Sequence, residues 1–128
     1  MGAYQLKITI KGSKPPIWRR ILVPQGVTFE TLHNTIQASF CLSGQTPYQF
    51  EFRSEKIRIA SDNIEQTGNY LYLPTAQAIN DQIGTDSKFT YVSYGTSNLE
   101  FTIQAEDYLD ECQEMSARVI KYKGEGLS

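Results

Sequence analysis

Hydrophobic and polar positions alternate strictly from the first residues of the chain. Tyr4, Leu6, Ile8 and Ile10 fall on one face, and Gln5, Lys7, Thr9 and Lys11 on the other. A period of two predicts a half-buried strand. Lys11-Gly12-Ser13-Lys14-Pro15-Pro16 breaks the pattern with turn chemistry. Ile17 to Val23 then resumes strand character and ends at Pro24-Gln25-Gly26. The two runs predict a hairpin. Within the second run, alternation puts Trp18, Arg20 and Leu22 on one face and Ile17, Arg19 and Ile21 on the other, so the adjacent arginines diverge.

The period changes after Gly26. Phe29, Leu32, His33, Ile36 and Phe40 recur at helical spacing and form one apolar stripe. Thr28 is placed to cap the free N–H groups of the first turn, and Glu30 suits the positive end of the helix dipole. The helix is predicted to end near Phe40, before Ser43-Gly44.

Period two then returns. Tyr48, Phe50 and Phe52 alternate, with Lys56-Ile57-Arg58-Ile59 as the return strand. Ser61 to Asn69 is polar and reads as a loop. Tyr70 to Leu73 is a short strand stopped by Pro74. Thr75 is expected to cap a short helix carrying Ala76, Ile79 and Ile83. Phe89 to Tyr94 and Leu99 to Ala105 predict a second hairpin. The order is that of an α+β fold. The economical arrangement is a mixed, mostly antiparallel sheet packed against one main helix, with a second short helix. Its hairpin–helix–strand opening is β-grasp-like, with a ferredoxin-like core as the alternative. Residues 1–110 are expected to form the single domain, with 111–128 as a tail whose end is disordered.

Composition narrows the possibilities further. A chain of 128 residues, 40% hydrophobic and 20% charged, supports one packed domain. The net charge of −2 hides an asymmetry: residues 1–59 carry 8 basic and 3 acidic side chains, residues 60–128 carry 4 basic and 11 acidic. A generally basic nucleic-acid binder is excluded, but a local basic patch is not. No apolar run approaches the ~18 residues of a membrane helix, and the N-terminus lacks a signal-peptide pattern. A cytoplasmic protein is expected. Cys41 and Cys112 are then expected to be buried thiols rather than a disulfide. With two cysteines and one histidine, neither a structural zinc site nor any other cofactor is expected.

Few residues offer chemistry. His33 has no partner nearby in sequence and reads as a histidine at the edge of the helix's apolar stripe. Cys41 lies about two helical turns away, too far for direct proton transfer. Lys11, Lys14, Arg19, Arg20, Arg53 and Arg58, with Trp18 and Tyr4 near the first four, could contact nucleic acid. Lysines and prolines at a hairpin end equally protect a sheet edge. The eight tyrosines suit either sheet packing or a binding face.

The segment Lys14-Pro15-Pro16-Ile17-Trp18-Arg19-Arg20, followed by Leu32-His33, Ile36-Gln37 and Phe40 on the helix, resembles the plasmid pRiA ORF-three-like family. Its members often carry the label of TnpR passenger proteins of insertion elements. The resemblance is specific over residues 4–52, extends to about 106 and is weak beyond. Where the family has a Gly-Trp pair and then His-Leu-His, this chain has Cys41-Leu42 and Thr46-Pro47-Tyr48. Where it has a Tyr-Asp-Phe-Gly-Asp turn, this chain has Val92-Ser93-Tyr94-Gly95-Thr96. The resemblance thus implies a polar site whose positions here are Thr46, Tyr48, Ser93 and Thr96, with its imidazoles and carboxylates replaced. No resolvase motif accompanies it.

Three readings follow. The leading one is a non-catalytic module that binds a partner protein, associated with a mobile element. The second is a nucleic-acid-binding accessory protein using the basic strands. The third is a degenerate enzyme or metal protein built on His33, Tyr48 and a loop hydroxyl. Oligomeric state is not legible in the sequence.

Overall fold

The computed structural model describes all residues except 1, 43, 63, 67, 85, 86, 96, 97, 110–117 and 124–128, and only the backbone of 118–123. It is an α+β fold. Its strands are β1 (Ala3–Ile10), β2 (Trp18–Pro24), β3 (Tyr48–Phe52), β4 (Ile57–Ala60), β5 (Leu71–Leu73), β6 (Lys88–Ser93), β7 (Leu99–Leu109) and β8 (Arg118–Lys123). One helix, α1 (Phe29–Ser39), follows β2. All eight strands form one sheet in the order β5-β4-β3-β6-β7-β1-β2-β8. Every pairing is antiparallel except β4 with β5.

The predicted hairpin, helix and strand pairs are present. β1 and β2 pair from Ala3↔Pro24 to Thr9↔Trp18, and the Lys14–Pro15 bond in their connection is cis. Gly2 enters the sheet so close to the ring of Tyr108 that a Cβ there would overlap the phenol. The short helix predicted after Thr75 is a single 3₁₀ turn, Ile79–Asp81, whose N-terminal Ala78 makes no side-chain cap. Thr75 instead accepts, through its carbonyl, the N–H of Glu30. β8, pairing with β2, lies in the stretch where the sequence pattern showed no strand.

Thr28 caps α1 as its chemistry requires, its hydroxyl accepting from the Thr31 N–H at 3.1 Å. The other end closes with a left-handed residue. The Cys41 N–H donates to Ala38 O and the Leu42 N–H to Gln37 O at 2.7 Å, with Cys41 at φ 59°. This is a Schellman cap with cysteine where glycine is usual. Cys41 is exposed, which corrects the expectation of a buried thiol: the cap turns the chain away from the core at that residue. Cys112 lies outside the described residues.

The core fills one side of the sheet only. Leu6 and Ile8 of β1, Ile21 and Val23 of β2, Phe50 and Phe52 of β3, Phe89 and Tyr91 of β6, and Phe101 and Ile103 of β7 meet Phe29, Leu32 and Ile36 of α1. Their rings interlock, as in Phe29–Phe50 at 5.2 Å and Phe50–Tyr91 at 4.7 Å between centroids. The alternate residues of every strand face the opposite way. No helix among the described residues covers that second face, nor is any long and apolar enough to cross a membrane.

Candidate functional site

Two polar regions stand out, one on each side of the sheet. The first is buried under α1. His33 and Gln37 are one helical turn apart and so share a face. Both reach the Tyr91 hydroxyl on β6, at 2.6 Å from His33 Nδ1 and 2.9 Å from Gln37 Nε2. Gln37 Nε2 also donates to Ser93 Oγ at 3.0 Å, and Ser93 Oγ lies 2.8 Å from Thr46 Oγ1. The loop after the helix is tied in through Gly44, whose N–H donates to Gln37 Oε1. Gly44 adopts φ 79°, a conformation that suits glycine.

The proton positions follow from this connectivity. His33 Nε2 lies 3.1 Å from the Gly44 carbonyl, which can only accept. That nitrogen therefore carries the hydrogen, and in the neutral imidazole Nδ1 accepts from the Tyr91 hydroxyl. Its ring stacks on Tyr48 at 3.6 Å and 6°. Burial lowers the His33 pKa below the ordinary histidine value, partly opposed by the Gly44 hydrogen bond and Glu30. Burial likewise pushes the Tyr91 hydroxyl well up. His33 is thus wholly internal, 2% exposed, and not at the edge of the helix stripe as the sequence suggested.

Thr46, Tyr48 and Ser93, three of the four positions the family resemblance singled out, converge on this cluster. Thr96 lies outside the described residues. Sequence reasoning missed Gln37 and Tyr91 as members. The His33–Gln37 spacing held a signal for the first, whereas Tyr91 looked like one more strand tyrosine. Every buried side-chain nitrogen and oxygen among the described residues has a partner. Three or more His, Cys, Asp or Glu do not come together anywhere among them.

The second region is the uncovered face. Register aligns one row of residues across seven strands: Trp18, Thr9, Thr102, Thr90, Glu51, Arg58 and Tyr72. At ~4.8 Å per strand such a row spans roughly 29 Å. Aromatic–cation clusters stand at both ends. Lys7 Nζ and the Arg20 guanidinium lie 4.8 and 5.1 Å from the Trp18 ring. The Arg58 guanidinium lies 3.9 Å from Tyr70 and 5.8 Å from Tyr72.

The predicted basic residues divide between the two faces. Arg20, Arg53, Arg58 and Lys11 reach the uncovered face, each held by a carboxylate. Arg20 Nε sits 2.6 Å from Glu106, Arg53 and Arg58 both sit 2.8 Å from Glu51, and Lys11 is 2.7 Å from Glu100. The Arg20 hydrogen bond holds the Glu106 carboxyl below its ordinary range. Burial would raise Glu51, but the hydrogen bonds of two arginines outweigh it and lower its pKa. Arg19 points the other way, as alternation predicted. It is buried, donates to the Ser39 carbonyl at 3.0 Å and lies over Phe40. Lys14 is exposed in the hairpin connection.

Comparison with known proteins identifies the family and the fold. Residues 2–127 match the family described as plasmid pRiA4b ORF-3-like protein, and the chain belongs to that family. Among solved structures it is similar to a protein of unknown function from Methanosarcina mazei Go1, with a TM-score of 0.83 and 24% sequence identity. The similarity covers 98% of this chain and 72% of the other. No curated protein matches the chain.

Proposed function

We propose that the chain is a non-catalytic interaction module that docks an acidic partner protein on the uncovered face of its sheet. The observation that carries this reading is the makeup of that face. Aromatic–cation clusters bracket a polar row, and among the described residues six cations (Lys7, Lys11, Arg20, Arg53, Arg58, Lys88) stand against four carboxylates (Glu51, Glu100, Glu106, Asp107). Tryptophan, tyrosine and arginine are the residues that dominate binding energy at interfaces. The buried cluster supports the same reading from the other side. Its polar atoms satisfy one another, so it serves as an internal clamp rather than as a reaction centre. The plasmid named in the family's description supports an association with mobile DNA.

Nucleic-acid binding is the second reading, favoured by the excess of cations. It is weakened because Arg19 is internal and four of the other predicted cations already hold carboxylates. Phosphate binding draws on cations that shed counterions, and paired ones have few to shed.

The test is quantitative capture of one reproducible partner by the wild type, Trp18→Ala, Arg58→Ala and Lys14→Glu. Docking on the uncovered face predicts loss with the first two variants and retention with the third. Equal capture by all four overturns it. A steep fall of single-stranded DNA affinity with salt, with no protein partner, favours the second reading instead.

A further inference from the structure

The middle of the uncovered face is not flat. A cleft of about 410 Å³ opens there, with Thr90 and Thr102 of the transverse row on its lining and Lys11, Arg53 and Lys88 around it. Pockets that hold small organic ligands begin at about 300 Å³, so the space exceeds what a bare ion needs. Glu51 and Glu100 also line it. Both are already engaged: Glu51 by Arg53 and Arg58, Glu100 by Lys11. The three cations on the lining against its two carboxylates leave one positive charge uncompensated, and Lys88 makes no ion pair among the described residues. The threonines add hydroxyl donors beside them.

We propose that this cleft binds a small phosphomonoester. Such a group carries about −1.5 to −2 charge at neutral pH and three acceptor oxygens, which suits the uncompensated ammonium of Lys88 and the mixture of ammonium, guanidinium and hydroxyl donors on the lining. Lys88 is the best placed for the first contact, because it is exposed and makes no ion pair among the described residues, and the largely exposed Arg53 guanidinium lines the same cleft. A neutral analogue offers no charge to the Lys88 ammonium, so it gains little. The proposal rests on the reading of the uncovered face as the binding surface and names one chemical group that it takes.

The probes are O-phosphoserine and inorganic phosphate, titrated into the full chain at ~50 mM salt while backbone amide resonances are followed, a regime in which surface charge is only partly screened. The expected result is saturable shifts centred on Lys88–Thr90 and Thr102 with O-phosphoserine. Inorganic phosphate should cause the same shifts more weakly, and serine none. Lys88→Glu should weaken O-phosphoserine binding by about tenfold, since one attraction becomes one repulsion, while Lys14→Glu leaves it unchanged. Absence of saturable shifts, or equal affinity in Lys88→Glu, overturns the proposal. Trp18→Ala separates it from the docking reading. A variant that loses the protein partner yet keeps the O-phosphoserine shifts sinks neither, whereas a partner bound at full strength by Lys88→Glu, with no phosphoserine binding by wild type, removes the cleft alone.

Discussion

The two faces of the sheet solve opposite problems with similar residues. Under α1, histidine, glutamine, tyrosine and serine are buried, with a half-buried threonine at their edge, and satisfy one another. On the other face, arginine, lysine and glutamate pair in contact with solvent, where each pair is worth ~0–1 kcal/mol. If the proposed docking face is right, hydrogen-bond density does not mark the functional surface here. The denser network holds the fold together. The looser face, with charge to spare, is the one the proposal assigns to another molecule.

The largest expected effect comes from a ring in the covered core. Phe50 is fully buried and touches Phe29, Phe89 and Tyr91. Phe50→Ala should lower unfolding free energy by about 3–5 kcal/mol. Thr102→Ala, in the transverse row, should stay within about ±0.5 kcal/mol. Chemical denaturation of both variants checks the contrast. Comparable losses would show that the uncovered face carries stability too, and the division between faces would fail.

Next in size is the clamp. Tyr91→Phe keeps the ring and removes one oxygen, so His33 Nδ1 loses its donor and Gln37 Nε2 one of its acceptors. A cost of about 1–3 kcal/mol is expected, the desolvation penalty of buried groups left unpaired. Ser93→Ala should cost less, because Gln37 retains Tyr91. If Tyr91→Phe is neutral, the cluster is not a clamp and the argument for its structural role falls.

These two predictions mark where sequence reading succeeded and stopped. Alternation in β1 and β2 was enough to separate Arg19 from Arg20, because a one-residue step reverses the face. Helical spacing and the Thr28 cap likewise placed α1 to within a residue. The transverse row was invisible, since it depends on register between strands as distant as Thr9 and Thr102. Tyr91 was hidden for the same reason: its partners lie 58 and 54 residues away. β8 escaped because its alternation is confined to Ile120-Lys121-Tyr122-Lys123 and lies behind an acidic run. The family resemblance found Thr46, Tyr48 and Ser93, whose convergence no local pattern contains.

A pH titration sharpens the contrast, because the faces respond in different ranges. Burial holds the His33 pKa below its unfolded value near 6.5. Above that value both states are neutral and the clamp contributes fully. As pH falls below it, the unfolded chain binds a proton that the folded chain resists, so stability declines until the folded pKa is passed. The expected slope approaches, at most, about 1.4 kcal/mol per pH unit. With a single histidine in the chain, His33→Gln should be less stable overall but flat between pH 7.5 and 5.5. The arginine-paired Glu51 and Glu106 have lowered values, so their contribution is lost only in the acid range below the ordinary carboxylate pKa. A wild-type profile without a decline from pH 7 to 5.5 would mean that the imidazole finds a way to charge in place.

The smallest effect concerns the join between clamp and helix. Cys41 sits at φ 59° in the Schellman cap, at the position where the family resemblance has glycine. A left-handed L-residue costs roughly 1–2 kcal/mol, whereas glycine adds about 0.4–1 kcal/mol of unfolded-state freedom. Because Cys41 is exposed, no packing is lost on truncation. Cys41→Gly should therefore stabilise the fold by about 0.5 kcal/mol, leaving partner capture unchanged. Cys41→Val should destabilise it, because a β-branched side chain tolerates the left-handed region least. If the order of the two variants reverses, the thiol makes a contribution beyond the backbone. The family's glycine would then be more than a capping residue, and the loop that carries Gly44 and Thr46 would belong to the chemistry of the site as well as to its closure.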